Sequence, residues 1–248
     1  MPFRQTLGFT LDRRVPLEMG TGFAIGGAAM LGVFVLSWLS SVIQVTGFAA
    51  PDSAWWMWLL FLVFAAGVEE LLNRSFLLKG LIALLGGREW VAVAVSAFFF
   101  GFAHLENPNA TSVSVASNSL GGVMSAVAVL GSGRIWMPWA RHLAWNFFQG
   151  QIFGFPVSGL VIPGLVQQSA TGPAWITGGA YGPEAGTFGI VARFAVLAAL
   201  FGWFRWRHPE KSWRGVMLFS ERPGMGPLPL FPEPADRQEP LIRHQADK

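Results

Sequence analysis

The sequence predicts an all-α fold, a polytopic membrane helix bundle with about six transmembrane spans. Hydrophobic residues make up 52% of the 248 residues and charged residues only 12%. Soluble domains carry about twice that charged fraction. Long apolar runs hold few or no charges, and the basic residues gather at the chain ends and in short loops. These features exclude an ordinary soluble domain.

Turn-forming and charged residues divide the apolar part of the chain into spans. The first run is uncharged and longer than the roughly 20 residues that a helix needs to cross a bilayer. Its Gly22 and Gly26 have the four-residue spacing that allows close helix packing. Gly86-Gly87 marks a later turn. The predicted spans are residues 19–44, 55–85, 90–104, 110–130, 135–152 and 188–204.

The spans lie within a three-part chain. Residues 1–18 have no short apolar core with a cleavage site and are interpreted as a cytoplasmic lead-in. Residues 19–206 form the predicted membrane domain, in which the Gly- and Pro-rich segment 154–186 is either re-entrant or surface-lying. Residues 207–248 hold seven prolines mixed with charges, and we expect a disordered cytoplasmic tail.

The basic residues predict the orientation in the membrane. With six spans, both termini and all the basic loops fall on one side, whereas the three opposite loops hold no Lys or Arg. Both termini are therefore predicted to be cytoplasmic. The short chain without a targeting signal favours a bacterial plasma membrane. These basic residues are expected to face the lipid bilayer, and no nucleic-acid partner is expected. The basic residues on the cytoplasmic side are Arg4, Arg13, Arg14, Lys79, Arg88, Arg134 and those of the tail.

Two adjacent carboxylates and an arginine interrupt the second apolar run. On a helix, Glu70 and Arg74 share a face and can pair, whereas Glu69 points about 100° away and shares its face with Asn73. One arginine cannot neutralise two carboxylates, so Glu69 is predicted to be free for chemistry. The alternative is a buried ion pair that only fixes helix packing.

Two imidazoles fall in other spans. Glu69 and His104 each lie about 17 residues from the Gly86-Gly87 turn, so antiparallel helices place both about 25 Å from it, at one level. His142 and Asn146 lie only about 12 and 18 Å from the Arg134 end of their span, so a tilted or broken helix is needed to bring them level.

These groups suit peptide-bond hydrolysis in a partly dry cavity. A buried glutamate can act as general base toward water, and imidazole and amide groups can donate to an oxyanion. Alternatively, Glu69, His104 and His142 could bind Zn²⁺ or another divalent metal, with the Asn146 oxygen nearby. The chain has no His-Glu-x-x-His helix and no cysteine, so a metal site would be assembled from three helices without thiolates.

The motifs Glu69-Glu70-x-x-x-Arg74, Phe100-x-x-x-His104 and His142-x-x-x-Asn146, in this order on successive spans, resemble the CPBP family. That family comprises the type II CAAX prenyl proteases and related bacterial proteins, some tied to bacteriocin processing or self-immunity. The resemblance covers residues 55–150 and implies an all-helical intramembrane endopeptidase.

The resemblance also implies roles for the individual residues. Glu69 would activate water with help from His104, while Glu70 and Arg74 would support the site. His142 with Asn146 would stabilise the oxyanion. The resemblance leaves open whether a metal assists.

The expected substrate is a membrane-associated or lipidated peptide or protein. Two other functions fit the same residues: a non-catalytic membrane scaffold or bacteriocin-immunity protein, and a small transporter that uses the carboxylates as a proton relay. Two further charges lie in the spans. Arg141 is expected to snorkel to the membrane surface, with a role in the site as the alternative, and Arg193 is expected to snorkel or to pack rather than to be catalytic.

Overall fold

The computed structural model describes residues 7–209 of the chain. Six long helices form the bundle, and two short strands pair beside it. The helices are α1 Val15–Leu39, α2 Ser53–Leu84, α3 Glu89–Ala103, α4 Ser112–Ser132, α5 Trp136–Asn146, the short α6 Ala174–Thr177 and α7 Thr187–Arg207. The strands are β1 Ile43–Phe48 and β2 Val166–Ala170.

The predicted all-α membrane bundle is confirmed. Within residues 7–209, five helices are long and apolar enough to cross a membrane, namely α1, α2, α3 with its following turn, α4 and α7. The remaining predicted span is α5, whose 11 residues continue into a six-residue π-helix, Phe147–Ile152. This helix is shorter and more polar than the others, and it buries charged and amide side chains inside the bundle.

The first span and the segment 154–186 differ in detail from the prediction. Helix α1 begins inside the predicted lead-in and ends at Leu39, five residues before the predicted end. The β-branched residues that follow form β1, which pairs antiparallel with β2, from Ile43 opposite Ala170 to Phe48 opposite Val166. The segment 154–186 is therefore neither a helical hairpin nor a plain loop, because it contains β2, α6 and 3₁₀ turns. The predicted tail lies outside the described residues from position 210 onward.

Helix α2 changes its winding at the charged motif. Residues Ser53–Glu70 are α-helical, Leu71–Leu78 form a π-helix, and Lys79–Leu84 are α-helical again. The wider turn begins at the residue after Glu70 and buries Arg74 completely. π-Helical turns are rare in proteins, and those that occur often lie at functional sites.

Two glycines allow α1 to pack closely on α5, as their spacing predicts. A Cβ on Gly22 would overlap the carbonyl oxygen of Met137, and one on Gly26 would overlap that of Arg141. The backbones of the two helices are therefore in direct contact along this seam. This contact fixes the position of the helix that carries His142 and Asn146.

The turn before α5 is tied to the N-terminal residues. Arg134, expected in an exposed loop, is buried and donates to Asp12 Oδ1 at 2.9 Å, to Glu18 Oε1 at 3.2 Å and to the Thr10 carbonyl at 2.6 Å. The Gly8 carbonyl also accepts from the backbone N–H of Ile135. Residues 8–18 therefore hold the start of α5 in place.

Candidate active site

Glu70 is completely buried and has four polar neighbours from three helices. Its Oε2 lies 3.4 Å from Arg74 Nε, and its Oε1 lies 3.9 Å from Arg141 Nη2. Ser125 Oγ donates to Oε1 at 2.7 Å, and His142 Nδ1 contacts the same oxygen at 3.0 Å. The predicted Glu70–Arg74 pairing is confirmed. The expectation that Arg141 snorkels is wrong, because this side chain is buried as a second cation beside Glu70.

Glu69 is in a different environment. Its side chain is 38% exposed, and its Oε2 lies 3.9 Å from His104 Nε2 and 3.9 Å from His142 Nε2. Asn73, on the same helical face, donates from its side chain to the Glu69 backbone carbonyl at 2.9 Å. The structure therefore separates a buried, paired carboxylate from an accessible one, as the helical spacing predicts.

The two imidazoles present the same ring atom to Glu69. His104 Nδ1 is 2.7 Å from the Phe100 carbonyl oxygen, which can only accept, so Nδ1 carries a hydrogen. His142 Nδ1 faces the Glu70 carboxylate, which likewise accepts. Both rings are thus held by a hydrogen bond at Nδ1, and both Nε2 atoms converge on Glu69.

Glu69, His104 and His142 lie at the same depth in the bundle. For Glu69 and His104 this agrees with the predicted register of α2 and α3, and for His142 the position of the turn before α5 explains it. The predicted meeting of Glu69 and His104 is confirmed by their 3.9 Å separation. For α5, a Cβ on Gly8 would lie 3.2 Å from Ile135 N and 3.3 Å from Lys79 Nζ, so the turn before α5 lies near Lys79. Lys79 lies about 10 Å along α2 from the Gly86-Gly87 turn. A further distance of about 12 Å along α5 places His142 about 22 Å from the same turn. The depth of the turn accounts for most of the missing distance.

Asn146 lies one helical turn after His142 and lines the same cavity. Among the residues that the structure describes, none makes a hydrogen bond with its side-chain amide. The amide therefore remains available as a donor to a bound molecule.

Glu69, His104, His142 and Asn146 border a cavity of about 210 Å³. On the α2 side, the part of the wall before Glu69 is apolar. It is formed by Phe61, Leu62 and Ala65, one and two helical turns before the carboxylate. His104 and Phe100 border it from α3, and His142 and Asn146 from α5. The cavity thus combines an apolar wall with a polar centre.

Residues outside the three motifs form a further wall, which sequence reasoning missed. Arg193 of α7 was expected to snorkel or to pack; snorkelling is wrong, because the side chain is 4% exposed. Its Nη2 donates to Asn118 Oδ1 at 2.8 Å and to Glu184 Oε1 at 3.2 Å. The signal was present in the sequence, since an arginine inside an apolar span and a lone charge in segment 154–186 both need partners.

Tyr181 extends this wall toward the segment between α5 and α7. Its hydroxyl accepts from Asn118 Nδ2 at 2.6 Å. Burial, together with the negative charge of Glu184, raises the pKa of Tyr181 to about 12. The phenol is therefore a neutral hydrogen-bonding group at physiological pH.

The predicted metal site at Glu69, His104 and His142 does not gain support from the geometry. Within residues 7–209, no group of three or more His, Cys, Asp or Glu side chains is placed to hold a metal ion. As they stand, the three side chains do not form a metal site.

The fold and the site together define a polytopic α-helical membrane protein with a carboxylate and two imidazoles inside its bundle. The family model described as type II CAAX prenyl endopeptidase Rce1-like matches residues 51–148, which contain α2 to α5. This match supports CPBP family membership, as the three motifs predicted, and a CAAX protease-like membrane enzyme. No curated protein matches the chain, and no solved structure matches it.

Proposed function

We propose that the protein is an intramembrane endopeptidase that hydrolyses a peptide bond with water activated by Glu69. One observation carries the proposal: the partly exposed Glu69 side chain turns its buried Oε2, which has no hydrogen-bond partner among residues 7–209, toward two imidazole Nε2 atoms, each 3.9 Å away, beside a cavity. The neighbouring Glu70 is separately paired with arginines, so Glu69 alone is left to exchange a proton.

The first step is attack by water. A neutral His104 ring, with its hydrogen on Nδ1, offers a lone pair at Nε2, and the Glu69 carboxylate offers another acceptor. One water can donate a hydrogen to each, which directs its oxygen lone pair at the substrate carbonyl carbon. As the C–O bond forms, the proton passes to Glu69.

The second step is collapse of the tetrahedral intermediate. The carbonyl oxygen gains the negative charge and accepts from the Asn146 amide and from Nε2 of His142, which enters the cycle as an imidazolium and keeps both ring protons throughout. Glu70 holds the other ring nitrogen of His142 and stabilises its positive charge. The C–N bond then breaks, and Glu69 returns its proton to the leaving amine. The products are one new carboxyl group and one new amine.

The substrate class follows from the surroundings of the site. The cavity opens among membrane-spanning helices and has an apolar wall formed by Phe61, Leu62 and Ala65. We infer a membrane-associated or lipidated peptide or protein, cleaved in a plasma membrane in which both termini of the enzyme face the cytoplasm.

The test compares matched carboxylate variants on a library of membrane-associated peptides. Purified protein in detergent is assayed by mass spectrometry as wild type, Glu69→Gln and Glu106→Gln. Glu106 is an exposed carboxylate two residues after His104, outside the cavity lining. Glu69→Gln should lower the rate on the order of 10²–10⁴-fold, whereas Glu106→Gln should retain it.

Two outcomes would contradict the proposal. Equal cleavage by the wild type and a folded Glu69→Gln variant would remove Glu69 from the chemistry. Loss of wild-type cleavage on treatment with a metal chelator, restored by added Zn²⁺, would replace the metal-free route with a metal-assisted one.

A further inference from the structure

Arg193 lines the active-site cavity from a helix that lies outside the matched segment 51–148. It stands six residues after the start of α7, and its side chain is nine-tenths or more buried. The guanidinium lies over the ring of Trp145, with Cζ 4.9 Å from the ring centroid. Trp145 directly precedes Asn146, so this corner adjoins the residues proposed to bind the oxyanion.

One edge of the guanidinium is anchored. Nη2 donates to Asn118 Oδ1 of α4 and to Glu184 Oε1 of the segment before α7. Both contacts and the Trp145 ring fix the plane of the group. A fixed guanidinium presents its remaining N–H groups in a set direction.

Glu184 shares its charge with several other donors. Its Oε2 accepts from the backbone N–H and the hydroxyl of Ser158, at 2.7 Å each, and lies 3.4 Å from Gln149 Nε2. These neutral groups stabilise the carboxylate independently of Arg193. Glu184 therefore does not use up the hydrogen-bonding capacity of the guanidinium.

The second edge of Arg193 has no protein partner. Nη1 makes no hydrogen bond with any of residues 7–209, and it occupies the space beside Gly121, where a Cβ would overlap it. Gly121 lines the cavity as well. The glycine thus makes room for an Nη1 group that has donors to spare.

The unpartnered edge of Arg193 favours an anion. Among the charged side chains that line the cavity, Glu184 is already paired with Arg193 and Glu69 lies beside the two imidazoles, so neither carboxylate occupies Nη1. Charge-assisted hydrogen bonds from guanidinium to carboxylate are among the strongest in proteins. We propose that the corner formed by Arg193, Asn118 and Gly121 is a specificity subsite that binds a carboxylate of the substrate.

The assignment rests on the proposed function, because it takes the occupant of the corner to be part of the peptide that is cleaved. The carboxylate can come from the C-terminus of the peptide or from an Asp or Glu side chain. A lipid phosphate has related chemistry and is separated from both by the test.

The test measures binding without turnover, in the Glu69→Gln background. Three dansylated pentapeptides serve as probes: Ala-Phe-Leu-Ala-Leu with a free C-terminus, its C-terminal amide, and the amide with Glu as the last residue. Fluorescence anisotropy gives the Kd of each in detergent. We expect the free acid, the Glu-containing amide, or both, to bind at least about tenfold more tightly than the plain amide.

Variants of the corner then test its residues. Arg193→Gln should abolish the preference, and Arg193→Lys should keep part of it. Gly121→Ala retains the arginine and its anchors but fills the space of Nη1, so it tests the subsite even if Arg193→Gln fails to fold. Arg205→Gln is the matched control, because Arg205 lies near the end of the same helix and outside the cavity lining, and it should keep the full preference.

Several results would overturn the assignment. These are equal Kd values for acid and amide, no binding of any peptide, or a preference that survives both Arg193→Gln and Gly121→Ala. Arg193-dependent binding of glycerol 3-phosphate without any acid preference among the peptides would give the corner to a lipid headgroup instead. A wild type that cleaves no peptide would contradict the proposed function but not this binding result, so the two failures are distinguishable.

Discussion

The adjacent carboxylates on α2 have different surroundings, although His142 contacts both. Glu70 lies beside two arginines, a serine and an imidazole, and it is fully buried. Removing one partner from such a group leaves an unpaired buried charge, which costs about 3–5 kcal/mol. Glu69 is 38% exposed and faces only imidazole nitrogens. We therefore propose that stability depends on one of these neighbours and chemistry on the other, because the helix turns them in different directions.

Asn146 allows catalysis to be tested separately from stability. Its amide has no hydrogen-bond partner among residues 7–209, so Asn146→Ala should leave the unfolding midpoint unchanged. The loss of one oxyanion donor should lower kcat about 10²–10³-fold. Thermal unfolding and peptide cleavage, measured on the same preparation, check both expectations. Gln44→Ala, at an exposed amide of β1, is the control that should change neither. Wild-type kcat in Asn146→Ala would remove the amide from the oxyanion site.

At the scale of the elements, the sequence was sufficient to predict how two helices align when residues between them mark the turn that joins them. Gly86-Gly87 has positive φ values of 61° and 82° and makes the turn that sets the α2–α3 register. Counting from that turn predicted that Glu69 meets His104. Close packing of α1 was likewise indicated by Gly22 and Gly26, but α5 as its partner was not.

Other features depended on distant contacts. The depth of α5 depends on Arg134 and its partners near the N-terminus, which no local pattern links. The pairing of β1 with β2 also joins segments far apart in the chain. For the same reason, the burial of Arg141 and Arg193 could be suspected but not assigned to partners.

The α1–α5 seam gives a prediction with a matched control. Gly26→Ala should force α1 away from the Arg141 carbonyl, and thereby lower the unfolding midpoint and cleavage together. Gly32→Ala on the same helix has nothing within 4 Å of the added Cβ. Since alanine favours a helix by about 1 kcal/mol over glycine, this control should be neutral or slightly stabilising. Equal behaviour of the two variants would show that the seam does not position α5.

At the scale of the whole molecule, the charge pattern predicts a definite orientation in the membrane. The chain has no cysteine, so single cysteines can report it without background. Thr171→Cys, exposed next to β2, should react with an impermeant thiol reagent in intact cells. Arg88→Cys, exposed at the α2–α3 turn, should react only after permeabilisation. The reverse labelling pattern would place both termini outside the cytoplasm.

The most direct measurement is cleavage in water enriched in ¹⁸O, with the enzyme in molar excess over the peptide. Wild type and Glu106→Gln should yield a product whose new carboxyl group carries one ¹⁸O atom, because the attacking water supplies that oxygen. Glu69→Gln should yield no product above background at the same unfolding midpoint. Labelled product from a folded Glu69→Gln variant, or ¹⁸O found in the enzyme after one turnover, would contradict hydrolysis by a Glu69-activated water.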